Sequence, residues 1–164
     1  MKTIFYIFTI FPLKFAYFLW DIIFQAIPLS FLELLPPFRV TKKNLSIAFP
    51  NIADQQLNVL AKESYKETLK SFYETLYTWS RSNKKIIFHT KKIQNRYLFN
   101  VPEPKDGLIV FALHNRSIDF MLRWISSHRA HTSLYKKIKS KPINRFVKKF
   151  REEGDCKMVA TGIG

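Results

Sequence analysis

The spacing of apolar and polar positions changes several times along this chain, and each change marks an element. Residues 3–35 are mostly apolar, with Lys14, Asp21 and Glu33 as their only charges. One helix of that length would reach about 50 Å, longer than a hydrocarbon core of ~30 Å, and Pro12 and Pro28 argue against a single straight helix. The stretch from Leu13 to Leu32 is still long enough to span a bilayer when tilted or bent, so a membrane helix is expected there. Asp21 opposes this, because a charge near mid-span costs about 2.5–3.5 kcal/mol unless it is neutralised, paired or close to an interface. An interfacial anchor is the alternative. A cleaved signal peptide fits less well, since Lys2 alone precedes the apolar run and no small-x-small site closes it. Arg39, Lys42 and Lys43 follow directly, and the positive-inside bias then places the rest of the chain in the cytoplasm.

Downstream of Pro36-Pro37 a short basic element runs from Arg39 to Pro50. Asp54 is suited to cap a helix in which Leu57, Leu60, Ala61, Leu69, Phe72, Leu76 and Trp79 recur at helical spacing, ending near Arg81. Lys62, Lys66 and Lys70 share another face of it. Ile86–Thr90 reads as a strand, and Pro102–Gly107 as a loop. The unbroken apolar run Leu108–Leu113 predicts a buried parallel strand. Ile118, Met121, Leu122 and Ile125 then predict a helix, Thr132–Tyr135 a weak strand, Ile143, Phe146, Val147 and Phe150 another helix, and Lys157–Thr161 a last strand. The alternation argues for an α/β fold, an open sheet flanked by helices. The division expected is an anchor over 1–36 and an α/β domain over 37–164.

Composition adds an anionic partner to this picture. The 164 residues hold 27 basic and 12 acidic side chains, a net charge of +15, which calls for phosphate groups, nucleic acid or an acidic protein. The single cysteine, Cys156, excludes an internal disulfide framework and a cysteine-only zinc site, and no histidine neighbours it to activate it as a nucleophile.

His114 closes the predicted strand and Asp119 lies five residues on, inside the start of the next helix. On one continuous helix that spacing turns the two by about 140°, so they meet only if His114 sits in a loop and Asn115 or Ser117 caps the helix. The C-terminal end of a strand in an open α/β sheet is where such folds place their sites. A neutral imidazole there can take a proton from a hydroxyl, and a carboxylate on its other nitrogen fixes the tautomer. Spacing alone is a weak signal, since most His/Asp pairs five apart are unrelated surface residues. His89, His128 and His131 lack comparable placement, although His128 and His131 would share a helix face if the helix ran that far; no metal site is expected. From Lys136 to Arg151 eight Lys or Arg occur without an acid, either a solvated helix face or a site for phosphates or a membrane surface. No nucleic-acid motif accompanies that run.

Three blocks together resemble the lipid A biosynthesis (lauroyl/myristoyl) acyltransferase family. They are Lys42-Lys43-Asn44-Leu45 through Phe49-Pro50, then Gly107 through His114-Asn-Arg-Ser-Ile-Asp119, then Leu134-Tyr135-Lys136 with Lys141-Pro142 on to Arg151. The resemblance implies the N-terminal portion of a glycerolipid-acyltransferase-like open sheet behind an N-terminal membrane helix, incomplete because family members continue further. It implies transfer of a fatty acyl chain from acyl carrier protein to a hydroxyl of a phosphorylated lipid A precursor, at the cytoplasmic face of the inner membrane, without a cofactor. His114 would be the general base, Asp119 its orienting partner, and Arg116, Lys136 and Arg151 would bind substrate. Asp119 stands where this family usually has Glu, which is closer to glycerophospholipid acyltransferases and keeps such an acceptor open. Lys136 stands where the family tends to have Arg, losing a bidentate fork. A catalytically inactive protein that holds anionic lipid through its basic helix is the other reading.

Overall fold

The computed structural model describes residues 2–90, 92–99, 108–113, 116 and 118–162. They form two compact units, Met1–Ser80 and Arg81–Gly164.

The N-terminal unit is helical. Its elements are α1 (Lys2–Phe8), α2 (Leu13–Ala26), α3 (Leu29–Glu33), α4 (Pro36–Ala48) and α5 (Asp54–Ser80). The expected membrane helix is not there. The apolar N-terminal segment is cut into helices of 7, 14 and 5 residues, and among the described residues no helix is long and apolar enough to cross a membrane. This overturns the single N-terminal anchor, and with it the inner-membrane placement that rested on it. The breaks have a local cause. Pro12 and Pro28 stand immediately before α2 and α3 with extended backbone (ψ 146° and 147°), so each proline starts a new helix instead of continuing the last.

Asp21 has a partner as well. Lys70 Nζ lies 2.6 Å and Lys66 Nζ 3.2 Å from its Oδ1, while Lys62 Nζ donates to the carbonyl of Ile27 at 2.8 Å. The lysine face of α5 is therefore laid over the polar side of α2. Hydrogen bonding from Lys70, against the opposing effect of burial, holds the Asp21 carboxyl below its ordinary range. Tyr17 adds a hydrogen bond to the buried Glu74. The core lies between α2, α3, α4 and α5, where Phe24, Leu32, Phe38 and Ala61 are buried and Trp20, Tyr65 and Leu69 pack around them. Phe38 meets the Tyr65 ring edge-on at 5.7 Å. The apolar stripe Phe11, Phe15, Phe18 and Ile22 faces outward, opposite the buried Leu13, Ala16 and Phe24.

Asp54 is the first residue of α5, so its carboxylate complements the helix N-terminus from within the first turn. The basic element after Pro36-Pro37 is the helix α4, with both prolines in its first turn, where no N–H is needed.

The second unit contains α6 (Asn83–Phe88), α7 (Arg96–Phe99), α8 (Ile118–Ser126), β1 (His131–Tyr135), α9 (Lys141–Arg151) and β2 (Cys156–Ala160). β1 and β2 pair in parallel from His131↔Cys156 to Tyr135↔Ala160, with α9 as the crossover. This is a small open α/β sheet flanked by helices. Two predicted strands are absent from it. Residues 86–90 fall within and just after α6, a short apolar run whose type is decided by packing against α8 and not by its own pattern. Residues 108–113 have no strand pairing and are exposed, Phe111 at 93%; without a neighbouring strand, an apolar run has nothing to make it sheet. The helices over 118–126 and 141–151 and the strands at 131–135 and 156–160 lie where the pattern puts them, and Val147 and Phe150 form the buried side of α9.

Candidate functional site

α8 buries an unexpected face. The apolar positions Ile118, Met121 and Leu122 are only partly covered, whereas Asp119, Arg123 and Ser126 are buried together with Ile125. Charged side chains are tolerated in such a place only when paired. Asp119 is paired with Arg151, the last residue of α9. Arg151 Nε donates to Asp119 Oδ1 at 2.9 Å, and its Nη2 approaches Oδ2 at 3.4 Å. The Asp119 side chain is 5% exposed and that of Arg151 23%. Each residue also suits its own helix: the acid lies in the first turn of α8 and the base in the last turn of α9, where the helix dipoles favour them. An ionised carboxylate has about four acceptor positions, so Arg151 leaves room for a further donor on Asp119.

Arg123 makes the neighbouring contact. Its Nη1 donates to Asn83 Oδ1 at 2.5 Å and to the carbonyl of Glu153 at 3.3 Å, and its Nη2 reaches Glu153 Oε2 at 2.8 Å. The turn at Gly154, with φ +112°, passes close to α8, and a Cβ there would lie 3.3 Å from that of Ser126. None of Arg123, Asn83 or Glu153 was singled out from sequence. The available signal was the i, i+4 pair of opposite charges at 119 and 123 on an otherwise apolar helix.

The other predicted site residues are dispersed. His114 lies outside the described residues. Arg116 is an exposed turn residue just ahead of α8, and Lys136 is exposed directly after β1. In the basic run, Lys148 approaches Glu152 at 3.6 Å while Lys137, Lys139, Lys141, Arg145 and Lys149 face solvent, so most of the run is a solvated surface. His128 and His131 share no helix, because α8 ends at Ser126 and His131 opens β1. His89 lies beside the Phe120 ring, and burial, assisted by Lys85, pulls its pKa down. Cys156 is buried with Sγ 3.7 Å from Met158 Sδ, and burial pushes its thiol pKa up, away from thiolate chemistry. Among the described residues no group of three or more His, Cys, Asp or Glu is arranged to hold a metal ion. An open groove of about 450 Å³ lies along α4, lined by Pro36, Arg39, Val40, Lys43 and Asn44.

A sequence profile of the bacterial lipid A biosynthesis acyltransferases matches residues 4–163. The chain belongs to that family. The match spans both units and includes the α8 segment that carries the buried Asp119. No curated protein matches the chain.

Proposed function

We propose that the chain transfers a fatty acyl group from an acyl carrier protein thioester to a hydroxyl of a phosphorylated lipid A precursor, with His114 as general base and Asp119 as its partner. The observation that supports this most is the burial of a paired Asp119 carboxylate in the first turn of α8, in a chain of this family. A carboxylate so shielded from water, with acceptor positions to spare, is suited to orient an imidazole and to stabilise its cation.

In this reading the imidazole takes the hydroxyl proton while the acceptor oxygen attacks the thioester carbonyl carbon. The tetrahedral adduct collapses with cleavage of the C–S bond, and the proton passes to the departing thiolate, leaving an ester and a free thiol. Arg151 serves first as counter-ion to Asp119. The acceptor's phosphate then falls to Arg116 and Lys136, whose exposed positions suit a solvated anion.

The test is acyl transfer from a carrier-bound thioester to lipid, followed by mass spectrometry of the lipid product. His114→Ala is expected to lose roughly 10²–10⁴-fold in rate, the range for removing a general base. Equal product from wild type and His114→Ala rules the base out.

A further inference from the structure

The charges that α8 buries follow an order. Along α8 an acid, Asp119, is followed one turn later by a base, Arg123; along the chain that faces them a base, Arg151, is followed two residues later by an acid, Glu153. Opposite charges meet in only one register. A slip of one turn would set Arg123 against Arg151. On an isolated helix, Asp119 and Arg123 at i, i+4 would attract each other. Here Arg123 is 3% exposed and its guanidinium is engaged by Asn83, the Glu153 carbonyl and the Glu153 carboxylate, so it does not compete for Asp119. The turn it holds is fixed from two further sides. Glu152 Oε1 accepts the Met158 N–H at 3.0 Å, and Gly154, with φ +112°, lies so close to Ser126 and Asn83 that a Cβ there would press on both.

We propose that Arg123 is a positioning residue that, through Glu153 and Asn83, sets the end of α9 so that Arg151 lies across Asp119. Its catalytic consequence rests on the reading of Asp119 given above; the placement of Arg151 does not. Arg123 touches neither reacting group. Its effect passes through the guanidinium of Arg151, which orders the carboxylate that partners the base.

The experiment uses the full chain labelled uniformly with ¹⁵N. The Arg151 Nε–H resonance, assigned by its absence in Arg151→Lys, should exchange slowly in the wild type because it is hydrogen-bonded to Asp119. In Arg123→Lys and Glu153→Gln that slow exchange is expected to be lost, while the His131 and Thr161 amides, which tie the sheet ends to Asp155 and Tyr135, keep their protection. Acyl transfer should fall on the order of 10- to 100-fold in kcat with little change in KM, the pattern of a misplaced group as opposed to a weakened binding site. Should Arg123→Lys fail to fold, Glu153→Gln carries the test, since that side chain is partly exposed. A slow Arg151 Nε–H in both variants overturns the assignment. Loss of that resonance with undiminished transfer overturns the catalytic reading of Asp119 instead.

Discussion

Replacing Arg151 by Met should destabilise the second unit more than replacing Asp119 by Asn, although both break the same ion pair. The reason is burial. With the Asp119 side chain 5% exposed, loss of Arg151 strands a carboxylate that cannot reach water. Breaking a buried pair in this way costs about 3–5 kcal/mol, and the partial exposure of Arg151 sets this one near the lower end, about 3 kcal/mol. Asp119→Asn keeps the shape and one acceptor for the Arg151 Nε–H, and Arg151 itself, at 23%, can turn towards solvent. That change should cost about 1–2 kcal/mol, close to the loss of one charge-assisted hydrogen bond. Hydrogen–deuterium exchange of peptides covering α8 measures both as faster local opening. At about 1.4 kcal/mol per factor of ten, Arg151→Met should accelerate exchange roughly a hundredfold and Asp119→Asn about tenfold. Equal acceleration, or the reverse order, would show that the Asp119 carboxylate is solvated in solution and that the pair is not the buried interaction described above.

Two further outcomes concern the N-terminal unit. Phe38 is fully buried in its core, so Phe38→Ala should cost about 3–5 kcal/mol, seen as a lower urea midpoint with little change in slope. The Asp21–Lys70 pair sets a sign for acid sensitivity. Because the Asp21 carboxyl is held below its ordinary 3.8, its contribution is fully present above that value and is lost as pH falls through the depressed one. The side chain is 42% exposed, so solvent screening limits the effect to under about 1 kcal/mol. Thermal melting of Asp21→Asn should therefore be less acid-sensitive than wild type below pH 4, and identical acid profiles would remove the pair as a contributor.

The long helix α5, the amphipathic α9 and the strand positions at 131–135 and 156–160 were legible because each carries its own repeat or lies between clear turn signals. The chain breaks at Pro12 and Pro28 are legible for the same local reason, and the pieces into which they divide the apolar segment are too short to span. The segments at 86–90 and 108–113 read as strands in sequence but are not strands in the structure, because an apolar run of five or six residues does not by its pattern alone fix its type. One packs on α8 as helix and the other finds no strand to pair with.

Sequence by itself determined the family and the helices α5, α8 and α9, since composition and period are local properties of the chain. Only the tertiary structure decided that Asp21 is neutralised by Lys66 and Lys70, and that Asp119 is held by Arg151, 32 residues away. Ion pairing depends on distance through space and on exclusion of water, and neither is encoded in the spacing of residues along one strand or helix.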